Sequence, residues 1–239
     1  MPDEPLLAER TALVTGASRG IGRAVAERLA AAGARVWGLG RSEAALASLA
    51  AETLGQSLVV DLSDDAAVWD ALDRLSDELG SPPDIVVNAA GVFGLASCAE
   101  ESVRGFDESL AVNVRAPFLV VRALLPGMLE RGSGLIINVG SVAGRRALPN
   151  NAAYSAGKFG LRGFHEVLLE EIRGTGVRAT LLEPAATDTP LWDGLDPDND
   201  PGLPDRAEMM RPEDVADAVT FVATRPPSVR IPLLQIERA

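Results

Sequence analysis

The chain is poor in three reactive side chains. Cys98, His165 and Tyr154 are each the only residue of their kind among 239. A single cysteine excludes an intramolecular disulfide and a cysteine metal cluster. A single histidine excludes any site that needs two, so no metal site is expected. Aromatic residues make up only 4 % of the chain, and 22 basic residues face 34 acidic ones, for a net charge of −12. That sign argues against nucleic acid, and against an anionic membrane surface, as a partner. No apolar run approaches the roughly 20 residues that cross a bilayer. The opening stretch, Met1 to Arg10, is acidic and contains proline, with no apolar core of signal-peptide length. These absences lead to the expectation of a soluble protein in a reducing cytoplasm. What is present is 47 % hydrophobic and 23 % charged, which suits a single compact domain over 1–239.

The chain is organised around Thr15-Gly16-Ala17-Ser18-Arg19-Gly20-Ile21-Gly22. It lies between the apolar run Thr11 to Val14 and a helical pattern from Arg23 to Leu29. A buried strand, a glycine turn and a helix N-terminus together form a cradle for phosphate, because backbone N–H groups and the helix dipole point the same way. Gly16 suits the sharp turn, Gly20 close backbone approach, and Gly22 the packing of helix on strand.

Strand-like runs then alternate with helical periodicities. This predicts an α/β, doubly wound, mainly parallel seven-stranded sheet with helices on both faces. Gly33 is expected to end the first helix, with strand two following over Ala34 to Gly40. Ser42 and Ser63 are read as N-caps, and Gly55 as the end of the second helix. Strand four, Asp84 to Gly91, runs into a small-residue turn. A long helical stretch from about Ser102 to Arg131 contains Pro117, which has no N–H and so deprives the Asn113 carbonyl of its helical donor. Strand five ends at Gly140-Ser141, Ala152 to Arg173 reads as a helix, and strand six follows at Val177 to Leu182. From Pro184 to Met210 prolines, glycines and aspartates break the pattern, leaving a loop of about 26 residues, long enough for a substrate lid at 185–211.

Ser141 falls at the C-terminal end of a strand, where open parallel sheets bind ligands. Tyr154 and Lys158 are four residues apart on one helix face. A phenol of ordinary pKa about 10 is too weak an acid for work near neutrality, and a neighbouring ammonium lowers that value. The three groups suit proton transfer to or from an alcohol or carbonyl oxygen. His165 reads as a packed residue and Cys98 as an inert thiol. Arg145 and Arg146 read either as exposed charges or as receivers of a substrate carboxylate. Trp192, Leu191, Met209 and Met210 flank the lid and suit either an apolar pocket or ordinary packing.

The ordered set Thr15-Gly-x-x-x-Gly-Ile-Gly22, Asn88-Ala-Ala-Gly91, Asn113, Ser141 and Tyr154-x-x-x-Lys158 resembles the compact single-domain branch of the short-chain dehydrogenase/reductase family over nearly the whole chain. The resemblance implies Tyr154 as acid/base, with Lys158 lowering its pKa and holding the nicotinamide ribose. It implies Ser141 orienting the carbonyl and Asn113 anchoring a water in a proton relay. For the cofactor it implies Gly16, Ser18, Arg19, Gly20, Ile21, Gly22, Arg41, Asp61, Leu62, Asn88, Gly91, Pro184, Thr187 and Thr189, together with Tyr154 and Lys158. Asp61 would contact adenine, and Thr189 the nicotinamide end.

Strand two ends Gly38-Leu39-Gly40-Arg41 without the acidic residue common in users of NAD. Arg41 and Arg19 suit a 2′-phosphate, so NADP(H) is expected, with a ketone or secondary alcohol as the small-molecule substrate. The resemblance also implies a dimer or tetramer built on the two long helices. Two departures stand out: Ala89 replaces a usual asparagine, and Pro184-Ala185 replaces a usual Pro-Gly. A catalytically silent NADP sensor or scaffold is the competing reading. It would not need Ser141, Tyr154, Lys158 and Asn113 together. A sugar-nucleotide epimerase would need a larger C-terminal region.

Overall fold

The computed structural model describes residues 6–239. Strands and helices alternate as β1 (Thr11–Thr15), α1 (Gly20–Ala31), β2 (Arg35–Gly40), α2 (Glu43–Thr53), β3 (Gln56–Val59), α3 (Asp65–Leu79), β4 (Ile85–Asn88), α4 (Val103–Leu110), α5 (Ala116–Arg131), β5 (Gly134–Val139), α6 (Ala152–Glu171), β6 (Val177–Pro184), α7 (Pro212–Ala223) and β7 (Leu233–Ile236). The sheet order is β3-β2-β1-β4-β5-β6-β7, and every pair in it is parallel.

A parallel strand covered on both faces needs apolar residues throughout, because successive side chains point to opposite sides. In β1, Ala12 and Val14 enter a core shared with α1, α2 and α7. Leu13 enters the opposite core, shared with α3, α5 and α6. The strand order reverses between β1 and β4, which opens a crevice beyond their carboxyl ends. Every candidate residue lies on a segment that leaves or borders that crevice.

Two helix ends differ from the sequence expectation. α3 is capped by Asp64, whose carboxylate accepts from the N–H groups of Ala66 and Ala67, while Ser63 donates to Asp61 instead. α2 ends on Leu54 in the left-handed conformation at φ 53° rather than on Gly55. Ser42 caps α2 and Gly33 follows α1 at φ 101°, as expected.

The long helical stretch is continuous but changes pitch. A π-helical turn, Ala111–Arg115, separates α4 from α5, and the Ala116 N–H reaches back to the Ala111 carbonyl. Contrary to the sequence expectation, this 29-residue stretch is long and apolar enough to cross a bilayer by length and composition alone, though only half of its apolar window is buried. The buried half packs Leu119, Val120, Leu124 and Met128 against Val86 of β4 and Ile136 of β5. The lid segment is not plain loop either. It contains 3-10 turns at Pro190–Trp192, Pro197–Asn199 and Arg206–Glu208.

Candidate active site

The glycine turn brings β1 and α1 close to the segment after β4. Gly16 has φ +70°, and a Cβ on it would stand 2.7 Å from the Ala90 Cα; a Cβ on Gly22 would stand 2.3 Å from the Gly16 carbonyl oxygen. Arg19 occupies the N-cap of α1 without a side-chain cap bond, and no acidic residue sits in the first turn. The helix therefore presents its first N–H donors and positive dipole end to the crevice, a fit for a phosphate.

The absence of a second asparagine at Ala89 does not loosen the turn. The Thr15 hydroxyl accepts from both Ala89 N (3.1 Å) and Ala90 N (3.2 Å), so backbone carries the contact. Ala185 likewise needs no glycine, since its N–H pairs with the Ile236 carbonyl at 2.9 Å in ordinary backbone geometry.

Above the turn opens a cleft of about 840 Å³, within the range of small-molecule and cofactor sites. Every residue singled out from the sequence for chemistry or cofactor lines it, apart from Asn88 and Asn113, which stand behind the lining. Arg19 and Arg41 both line it and are exposed. Arg23 is instead held by Glu27 and Glu52 at 2.8 and 2.7 Å. Asp61 accepts from the Ser63 backbone and hydroxyl, and these bonds hold its carboxyl below the ordinary value, with Arg41 adding to the effect.

At the other end stand Ser141, Tyr154 and Lys158. Ser141 follows β5 and caps a 3-10 turn by accepting from Ala143 N at 3.1 Å. Lys158, the only lysine in the chain, is 5 % exposed and donates to the Val139 carbonyl at 2.9 Å. Its Nζ lies 5.6 Å from the centre of the Tyr154 ring. Burial pushes the Tyr154 phenol up to about 12, with the Ser141 hydroxyl pulling the other way. Burial also brings Lys158 down to about 8. Desolvation thus outweighs the Ser141 hydrogen bond at the phenol, and the Lys158 ammonium bonds the Val139 carbonyl.

Asn113 lies inside the π turn and is fully buried. Its Oδ1 accepts from Val92 N (3.3 Å), and its Nδ2 donates to Val92 O (3.0 Å) and Ser109 Oγ (3.1 Å). Ser109 in turn donates to the Ala153 carbonyl at 2.8 Å. One asparagine thereby ties the segment after β4 to the start of α6. Asn88 donates to Asn138 Oδ1 at 2.8 Å, and Asn138 Nδ2 meets His165 Nδ1 at 3.1 Å. His165 Nε2 faces the Pro232 carbonyl at 3.2 Å, so Nε2 carries the proton and Nδ1 accepts. Burial lowers His165 to about 4, which keeps it neutral.

The structure also decides the ambiguous residues. Arg145 does not wait for a substrate carboxylate: it pairs at 3.3 Å with Glu183, whose side chain is 1 % exposed and also binds Arg162 at 2.9 Å. Met209 and Met210 are buried, and Met210 packs in the core beneath α1 and α7. Leu191 and Trp192 line the cleft. Phe93, which the sequence reading passed over, meets Tyr154 edge-on at 4.8 Å and Trp192 at 4.9 Å. Its position two residues after Gly91 was the only available signal.

A glycine cradle, a switch-point cleft and a Ser-Tyr-Lys cluster on one parallel sheet define a dinucleotide-dependent oxidoreductase class, and the chain belongs to the short-chain dehydrogenase family. The family model described as short chain dehydrogenase matches residues 10–200. Among curated relatives, D-threitol dehydrogenase of Mycolicibacterium smegmatis is 37 % identical over 224 residues, 90 % of this chain and 86 % of that one. L-xylulose reductase of Bos taurus is 35 % identical over 223 residues, covering 90 % and 89 %. Among solved structures, a closed form of serine dehydrogenase complexed with NADP+ superposes with a TM-score of 0.86 at 32 % identity, covering 95 % of this chain and 94 % of that one. A metagenomic short-chain oxidoreductase in complex with NADP gives 0.84 at 31 % identity, covering 98 % and 99 %.

Proposed function

We propose that this protein is an NADP(H)-dependent reductase or dehydrogenase that interconverts a ketone and a secondary alcohol. The observation that carries the reading is the convergence of Ser141, Tyr154 and Lys158 at one end of a cleft whose other end is the glycine turn. A nicotinamide cofactor held in this cleft would supply the hydride for the carbonyl carbon, and Tyr154 would give its proton to the carbonyl oxygen, so that ketone and reduced cofactor become secondary alcohol and oxidised cofactor. Ser141 orients the carbonyl by donating to its oxygen. Lys158 places a positive charge beside the phenolate that forms and, with Tyr154, holds the nicotinamide ribose. Asn113 acts through the segment it holds and anchors the water of a proton relay. Gly16, Ser18, Arg19, Gly20, Ile21 and Gly22 hold the pyrophosphate; Asp61 and Leu62 hold the adenine side; Asn88, Gly91, Pro184, Thr187 and Thr189 hold the nicotinamide side.

The exposed guanidinium groups of Arg19 and Arg41, next to a strand end that offers Gly40 instead of a carboxylate, favour the 2′-phosphate cofactor. The reading further takes the protein as a single cytoplasmic domain with 185–211 as its substrate lid. NADPH consumption over a panel of ketones, aldehydes and keto acids tests it. Turnover with at least one carbonyl is expected. Cofactor binding with no turnover on any of them would favour the silent sensor.

A further inference from the structure

One buried carboxylate holds both segments that carry Ser141, Tyr154 and Lys158. Glu183 stands near the end of β6, one residue before Pro184 at the cleft wall. Its side chain is 1 % exposed, and each oxygen has a partner. Oε1 accepts from Arg162 Nη1 at 2.9 Å. Oε2 accepts from Gln235 Nε2 at 2.9 Å and faces Arg145 Nε at 3.3 Å. A charge at this depth is stable only among cations and donors, so the carboxylate fixes its partners in turn. Arg162 lies one turn beyond Lys158 on α6, and Gln235 is paired with Glu183 across β6 and β7. Arg145 closes the 3-10 turn Val142–Gly144, which Ser141 opens. The bonds within that turn are few: Ala143 N to the Ser141 hydroxyl, Gly144 N to the Ser141 carbonyl, and Arg145 N and Arg146 N to the Val142 carbonyl. Such short-range bonds are poorly aligned, so the turn takes its orientation from an anchor outside itself. The Glu183 side chain runs beside Gly140, where an added Cβ would stand 3.3 Å from its Cγ.

We propose that Glu183 and Arg145 are positioning residues whose ion pair sets where the Ser141 hydroxyl stands relative to the Tyr154 phenol. The inference rests on Ser141 and Tyr154 being the reacting groups of the proposed function. The tie runs from Ser141 through the turn to Arg145, across the carboxylate to Arg162, and back along α6 to Lys158 and Tyr154. A second contact closes the circuit: a Cβ on Gly144 would meet the Lys158 carbonyl oxygen at 2.8 Å, so the turn rests directly on the helix. Ser141 is also the hydrogen-bond partner that offsets burial at the phenol. A displaced turn therefore alters Tyr154 as well as the hold on a carbonyl. The Arg145 side chain is 37 % exposed, and removing its guanidinium leaves the turn its backbone bonds while cutting its tie to β6.

The test uses Arg145→Met, Arg145→Lys, Ser141→Ala and the double variant that joins Arg145→Met to Ser141→Ala. Reduction of ketones by NADPH gives the kinetic readout. Tyr154, the only tyrosine, gives a single NMR signal when tyrosine is isotopically labelled at Cζ, and its position reports hydrogen bonding at the phenol. Arg145→Met is expected to lower kcat by about 10- to 100-fold, the cost of a misplaced reacting group, with KM for NADPH changed by less than about twofold. Arg145→Lys, which keeps the charge, is expected to recover most of the loss. In the Ser141→Ala background the Arg145→Met change is expected to lower kcat by less than about twofold, because the group being positioned is gone. The Tyr154 signal is expected to move in Arg145→Met in the direction it moves in Ser141→Ala, and no further in the double variant. Glu183→Gln is expected to move it the same way; if that variant does not fold, the Arg145 variants decide alone. Equal kcat losses with and without the Ser141 hydroxyl, or a Tyr154 signal unmoved by Arg145→Met, overturn the inference and leave the reductase reading standing. Turnover of no ketone by the native protein overturns the reductase reading instead, and the Tyr154 signal then decides the placement of Ser141 by itself.

Discussion

Burial moves Tyr154 and Lys158 in opposite directions. A phenol raised to about 12 stays protonated through the neutral range but is a weaker acid than a free phenol, and an ammonium at about 8 stays charged up to mild alkali. We expect kcat/KM for a ketone to be level below pH 8 and to fall as the pH rises through it, because Lys158 then loses the charge that stabilises the forming phenolate. Lys158→Met should erase that limb of the pH profile. Tyr154→Phe keeps the ring against Phe93 but removes the proton. Turnover should drop by ~10²–10⁴ while NADPH still quenches tryptophan fluorescence. His165 gives a separate signature in stability. Its folded value of about 4 lies below the ordinary 6.5, so the unfolded chain binds the extra proton between those pH values. Its contribution is therefore intact above pH 6.5 and is lost as the pH falls toward 4, amounting to about 3 kcal/mol. Denaturant unfolding at pH 7 and pH 4.5 should show the loss, and His165→Leu should show less of it.

At the level of elements, the end of β2 and the lid each invite a test. Arg41→Asp places a carboxylate where a ribose 2′-hydroxyl would be bound and a 2′-phosphate repelled. The ratio of kcat/KM for NADPH over NADH should fall by at least tenfold, and a ratio that does not move would make Arg41 a bystander. The lid is tied to itself by Arg206, which pairs with Asp188 at 2.5 Å and Asp193 at 2.8 Å. Asp188 directly precedes Thr189, whose side chain faces Gly20 of the glycine turn. Arg206→Ala should speed proteolytic cleavage within 188–206 without shifting the main thermal transition.

Elements set by local chemistry were legible in the sequence. Alternating apolar runs gave the order of strands and helices, and the glycine spacing gave the cradle. Pro117 pointed to a break at Asn113, which the structure makes a π turn. What was not legible depends on pairs far apart in the chain. The Arg145–Glu183 ion pair, the Asn88–Asn138–His165 chain and the Phe93–Tyr154–Trp192 contacts join segments that no periodicity connects. Competition between neighbouring polar residues was equally hidden: Ser63 and Asp64 both suit a cap, and the carboxylate of Asp64 wins because Ser63 is engaged by Asp61.

For the whole molecule, the outer faces of α4, α5 and α6 leave Val103, Phe106, Phe118, Phe159 and Val167 exposed. We propose that these residues form a contact between copies of the chain, and we expect light scattering to give the mass of two or four chains. A lone 25.0 kDa species would count against it. The uneven composition of the chain has a practical consequence as well. Because Tyr154 is the only phenol, any phenolate band in the near-ultraviolet spectrum belongs to it alone. Lys158, as the only lysine, is the one ε-amine an acylating reagent can modify, and it is buried in the cleft. Its rate of acylation therefore reports the opening of that cleft. This protein can be titrated at Tyr154 and labelled at Lys158 without first being mutated.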